Sequence, residues 1–203
     1  MYSIDYQYLR PKKAEALKAW YDEPLAITEN PAVWRGKNAT ILPLRRQAED
    51  NLLFGRGGVV DENGEYVPLS GIEGRVQFAY PAEKKEYRDE TVVYCGYLVN
   101  HWGHFLIEGV TRLWYFLEND PVVEDRKYVF FLDENEEREI RANYREFLEL
   151  LGIWEHLEII NTPTTYREVI VPELGLYCRR RYTPKLLKVY DTVANNAVPD
   201  PNW

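Results

Sequence analysis

Tyr94-Cys-Gly-Tyr-Leu-Val-Asn-His-Trp-Gly-His-Phe-Leu-Ile-Glu-Gly-Val-Thr-Arg-Leu-Trp-Tyr-Phe-Leu117 is the stretch on which the fold turns. It holds two of the three histidines in the chain, His101 and His104. Its first part, with the preceding residues from Thr91 to Leu98, is β-branched and aromatic and reads as a strand. Asn100 is then placed to cap a helix running to about Leu117. At about 100° per residue, Leu106, Val110, Leu113 and Leu117 share one narrow, core-facing stripe. His104, Glu108, Thr111, Arg112 and Tyr115 share the opposite side. A helix apolar around most of its circumference is largely buried, so its one polar stripe must be paired internally or face a cleft.

Three readings of that stripe stand side by side. In the plainest, Glu108 and Arg112 form a helical i, i+4 ion pair and His104 bonds a nearby carbonyl. In the second, the groups line a cleft and take a catalytic role. In the third, His101, His104 and Glu108 ligate zinc. The ligand types suit it, but the spacing matches no established zinc pattern and the cysteines lie far away.

The run Asn100-His-Trp-Gly-His104-Phe-Leu-Ile-Glu108-Gly-Val-Thr-Arg112-Leu resembles the signature of glycosyltransferase family 61. There an Asn, a His-aromatic-Leu, an acid and an Arg-Leu, in that order, open a helix of the N-terminal half. Three later pieces are similar to that family in order and spacing. They are Tyr128-Val-Phe-Phe-Leu-Asp133, Tyr144-Arg-Glu-Phe-Leu-Glu-Leu-Leu-Gly-Ile153 and Tyr166-Arg-Glu-Val-Ile-Val-Pro172. The likeness covers roughly 91–177.

This resemblance implies the acceptor-side half of a two-domain GT-B enzyme, with a Rossmann-like, mostly parallel sheet. It implies inverting transfer from a nucleotide sugar to a glycan or lipid-linked acceptor without an essential metal or other cofactor. His104 and Glu108 are then the expected catalytic residues, and Asn100, His101, Trp102, Arg112 and Tyr115 the expected substrate contacts. The family's donor-binding half ends in a Gly-rich stretch with no counterpart here. The expectation is therefore an N-terminal half, inactive alone, whose partner is a separate C-terminal half. A non-catalytic carbohydrate-binding or assembly module is the alternative, and a small metal hydrolase a further one.

Composition narrows the field. Hydrophobic residues make up 45% of the 203, enough for a core of ordinary size. The net charge of −8 argues against a nucleic-acid partner. The one basic run, Arg179-Arg-Arg181, reads as a solvated turn, or as a contact for a phosphate-linked substrate. Sixteen tyrosines and six tryptophans suit carbohydrate stacking and Tyr-rich sheets equally. Cys95 and Cys178 give no disulfide framework and are expected to be reduced, buried thiols. No apolar run marks a signal peptide or an integral membrane segment, so a cytoplasmic location is expected.

The rest of the chain divides into a β-rich region over 1–90, an α/β acceptor-side domain over 91–194 and a tail or linker over 195–203. Pro11–Tyr21 reads as a surface helix with proline in its first turn. Ala39–Leu44 reads as a short strand with an edge-type proline. A hairpin is expected over Asn51–Ser70, with Leu52–Phe54 and Gly58–Val60 in one arm and Asp61–Gly64 as its turn. Gly55-Arg-Gly-Gly58 precedes no helix and reads as a bulge or bend rather than a phosphate loop. Arg75–Tyr80 is expected as a strand and Pro81–Glu90 as a charged loop. Tyr128–Leu132 is apolar without alternation, like a strand buried on both faces. Glu134–Leu151 reads as a helix stopped by Gly152. Leu157–Ile160 and Glu168–Val171 read as strands and Thr183–Asn195 as a last helix.

Overall fold

The structure is a computed structural model that describes residues 11–22, 24–46, 55–72, 78–119, 126–132, 140–177 and 181–197. Helix α1 (Pro11–Asp22) is followed by strands β1 (Val33–Arg45), β2 (Arg56–Val60) and β3 (Glu86–Tyr97). The signature segment comes next as α2 (Trp102–His104), a π-helical turn (Phe105–Gly109) and α3 (Trp114–Glu118). Then come β4 (Lys127–Phe131), α4 (Ala142–Leu151), β5 (Leu157–Ile160) and β6 (Thr164–Pro172). A two-residue ladder pairs β7 (Leu176–Tyr177) with β8 (Arg181–Tyr182), and α5 (Pro184–Asn196) follows.

The fold is mixed α/β, built on one six-stranded sheet in the order β2-β1-β6-β3-β4-β5. The β6–β3, β3–β4 and β4–β5 pairs are parallel, and β1 is antiparallel to both β2 and β6. The mostly parallel, Rossmann-compatible sheet expected from the sequence is present. β1 and β2 join it as its antiparallel flank.

The two faces of the sheet are covered differently. One packs against the helices. Phe105, Val110, Leu113 and Trp114 from the signature segment meet Tyr144, Phe147, Leu148 and Leu151 of α4 and Leu186 and Val189 of α5. These are the apolar faces that the helical periodicity marks on α4, and each such side chain fully buried contributes about 1.5–3 kcal/mol. Gly152, at φ 84, then stops α4: Gly152 and Ile153 N–H return to the carbonyls of Glu149 and Leu148.

The other face is closed by the sheet itself. Ile41 and Leu44 of β1 pack with Val129 and Phe131 of β4, Tyr166 of β6 and Val67 and Ile72 of a short connecting segment. Leu44 N–H donates to the Leu132 carbonyl although two strands lie between β1 and β4 in the sheet. Register shifts at Leu42/Arg45, Arg88/Thr91 and Tyr94/Gly96 supply the bends such curling needs.

Three strands start earlier than their apolar patterns suggest. β3 begins at Glu86, inside the stretch expected as a loop. Its charges are matched across strands: Arg88 pairs with Glu158 and Arg167 with Asp89, and Thr91 donates to Glu168. β6 begins at Thr164, where Thr40 and Thr165 hydroxyls bond at 2.8 Å. β1 is thirteen residues long and internal rather than at an edge. Pro43 is tolerated because it sits at the Leu42/Arg45 bulge, opposite the Gly-rich run, where the ladder is already interrupted.

The hairpin turn forms, with Asp61 Oδ1 accepting Asn63 and Glu65 N–H. Its second arm is reduced to a Val60–Tyr66 bridge before the 3-10 turn Pro68–Ser70. Leu52–Phe54, residues 75–77 of the expected 75–80 strand, the first part of the 134–151 helix, Cys178, Arg179, Arg180 and the end of the tail lie outside the described residues, and 78–80 form a bend and coil instead of a strand. Among the described residues no helix is long and apolar enough to cross a membrane.

Candidate active site

The loop after β3 carries the signature to the carboxyl edge of the sheet, where open α/β folds place their ligands. Asn100 is exposed in a bend and does not cap the helix. His101 does: its backbone is extended and its Nδ1 accepts the His104 N–H at 3.4 Å. The preference for Asn at a cap was read one residue too early, because an imidazole nitrogen in an extended residue fills the same role.

His104 then lies between two partners. Its ring is 4.8 Å from that of His101, and its Nδ1 is 3.3 Å from Glu108 Oε1. Glu108 is 5% exposed, whereas the His104 side chain is 30% exposed. Thr111 Oγ1 donates to the Glu108 carbonyl and ties down the turn that carries it. When His104 Nδ1 holds the proton and donates it to Glu108, Nε2 is the ring's acceptor. A buried carboxylate behind a half-exposed imidazole is the arrangement of a general base with its orienting acid.

Beyond Glu108 the helix is not a regular α-helix, and this overturns one expectation. Val110 N–H bonds the Phe105 carbonyl, five residues back, and Leu113, Tyr115 and Phe116 bond three residues back. The wide π turn followed by tight turns rotates everything after Gly109 away from its α-helical position. Arg112 therefore does not meet Glu108. It is 1% exposed and donates to three carbonyls: Nε to Pro172 at 3.0 Å, and Nη2 to Leu69 at 2.7 Å and Gly71 at 2.9 Å. The guanidinium lies 5.1 Å from the Tyr94 ring. Burial pulls its pKa below the usual arginine value. Gly96, at φ +100, gives it room, since a Cβ there would sit 3.2 Å from Nη1.

Tyr115 is likewise internal. It is 3% exposed, and its hydroxyl accepts from Arg35 at 2.8 Å and Arg126 at 3.2 Å. Trp102 is 38% exposed and stacks on Phe105 at 5.5 Å, with Tyr144 and Phe147 edge-on behind it. The structure thus gathers His101, Trp102, His104 and Glu108 at the sheet edge. It sends Arg112 and Tyr115 into the interior. Sequence reading passed over Tyr190, whose hydroxyl donates to the Leu106 carbonyl inside the π turn at 2.5 Å. Its position on α5 gives no local hint of that contact. Among the described residues, His101, His104 and Glu108 are not gathered into a group able to hold a metal ion.

No protein-family model, curated protein or solved structure matches the chain. The likeness to glycosyltransferase family 61 rests on the residues quoted above.

Proposed function

We propose that the chain is the acceptor-side half of an inverting, family 61-like glycosyltransferase of GT-B architecture, moving a sugar from a nucleotide sugar to a glycan acceptor. The observation that carries the reading is the His104–Glu108 pair, held one turn into the helix that follows the central strand. In transfer, the acceptor hydroxyl oxygen bonds to the anomeric carbon while the bond to the nucleotide diphosphate breaks. The hydroxyl proton passes to His104 Nε2, and Glu108 stabilises the imidazolium that forms. The departing diphosphate needs cations or a helix N-terminus, which in this architecture belong to the donor-binding half.

The test is transfer from UDP- and GDP-sugars to glycan acceptors with a donor-binding half supplied in cis or in trans. His104→Ala and Glu108→Gln are expected to lower kcat by about 10²–10⁴, the range of lost general-base catalysis, with melting temperatures close to wild type. The isolated chain is expected to bind UDP-sugars no tighter than about millimolar. Unchanged transfer in both variants would refute the base assignment. A large loss of melting temperature with proportionate loss of activity would make the pair a packing feature.

A further inference from the structure

A second concave site lies across the sheet from the helices, where Trp34 and Leu69 pack on the cluster that holds Val67, Ile72 and Tyr94. It is a cavity of about 450 Å³ between the start of β1 and the turn after β2, within the roughly 300–1,000 Å³ range of small-molecule sites. Trp34 and Tyr66 supply aromatic walls, Asp61 and Glu65 carboxylates, and Pro68 and Leu69 an apolar side. Among the described residues no lysine or arginine lines it.

The site is built rather than incidental. A Cβ on Gly36 would fall 2.1 Å from Cη2 of Trp34, so the indole lies over bare backbone two residues along the same strand face. That seat fixes the ring. Trp34 is half-buried, and its indole N–H has no protein partner among the described residues. Asp61 is fixed as well, because its Oδ1 holds the turn through Asn63 and Glu65 N–H while Oδ2 has no protein donor among the described residues. The far wall is anchored by the signature helix: Arg112 grips the Leu69 and Gly71 carbonyls, and also that of Pro172, which pairs with Val33.

A seated indole face with an idle N–H, next to the fixed Asp61 carboxylate and the exposed Glu65 carboxylate, matches one ligand chemistry closely. The apolar face of a sugar ring packs on the indole, its hydroxyls donate to Asp61 and Glu65, and one ring or hydroxyl oxygen accepts from Nε1. Phosphates, uronates and sialic acids are excluded by two carboxylates without a counter-charge. We infer that this cavity is a subsite for an uncharged pyranose unit of a glycan, stacked on Trp34. It rests on the acceptor reading above and gives that acceptor its chemical class: a neutral glycan.

The experiment is a titration of the whole chain with cellobiose, lactose, chitobiose and digalacturonate, read from indole N–H resonances and saturation-transfer NMR. The Trp34 signal is the one missing in Trp34→Phe. At least one neutral disaccharide is expected to shift it with millimolar affinity, and digalacturonate to leave it unmoved. Trp34→Ala is expected to weaken binding about tenfold or more, the loss of one aromatic stack and its N–H. Glu65→Gln, on an exposed side chain that no core contact needs, is expected to weaken binding several-fold. The inference is overturned if no neutral disaccharide moves the Trp34 signal. It is also overturned if digalacturonate or tetralysine binds there more tightly than every neutral sugar. Glu108→Gln separates the two proposals: it is expected to leave this binding unchanged while abolishing transfer. Binding without any transfer would sink the catalytic reading and keep the subsite.

Discussion

Arg112 shows how far a residue's neighbours in sequence can mislead. Four positions after an acid on a helix, it reads as a surface-type ion pair. It is instead a buried cation whose charge is spread over three carbonyls at 2.7–3.0 Å. The resulting structure is a pin: one guanidinium ties the signature helix to the end of β6 and to the 69–71 turn. Lysine offers a point charge in place of a planar fork and cannot reach three acceptors in that geometry. Arg112→Lys is therefore expected to destabilise the fold by about 3–5 kcal/mol, since charged hydrogen bonds are lost and buried carbonyls are left unmet. Urea unfolding measures it. A loss below about 1 kcal/mol would mean that the carbonyls find other donors and that the pin is dispensable.

At the scale of elements, the sequence marks what repeats regularly and hides what does not. The apolar run at Tyr128–Leu132, the buried face Tyr144, Phe147, Leu148 and Leu151, and the stop at Gly152 all obey local periodicity and end signals, and all are where the pattern puts them. The π turn at Phe105–Gly109 breaks the period, so a wheel drawn at a constant angle misplaces Arg112 and Tyr115, although Val110 and Leu113 still reach the core. The charged start of β3 and the threonine start of β6 were hidden because their partners lie on other strands. The same holds for the Trp34 cavity, made where β1 meets a turn some thirty residues away. Tyr190 bridges this irregular helix to α5 through Leu106. Removing that hydroxyl in Tyr190→Phe is expected to cost about 1–2 kcal/mol, the usual penalty for a buried hydrogen bond lost on one side. The cost should be accompanied by faster amide exchange in the 105–113 backbone. An unchanged exchange pattern would mean that the π turn holds without its α5 contact.

For the whole molecule, the interior is unusually rich in phenols, and this fixes how stability must depend on alkali. Burial pushes the pKa of Tyr166 and Tyr190 up to about 12, and it raises Tyr94, Tyr177 and the Cys95 thiol as well. Each is an acid that ionises at lower pH in the unfolded chain than in the folded one. The unfolded chain therefore sheds its protons first as pH rises. The contribution of these groups is complete below about pH 10 for the tyrosines, and about pH 8.5 for Cys95, and it fades as pH climbs toward 12. Each tyrosine removes about 1.4 kcal/mol per pH unit within its window. Several windows overlap, so the melting temperature should hold nearly level to pH 9 and fall steeply above 10, with the buried tyrosines ionising only as the chain unfolds. Tyr190→Phe, though less stable at neutral pH, should lose stability more gradually between pH 10 and 12, because one proton fewer is released on unfolding. Ionisation of Tyr190, read as the difference in tyrosinate absorbance between the wild type and Tyr190→Phe, that comes well before the melting temperature falls would contradict the burial on which the argument depends.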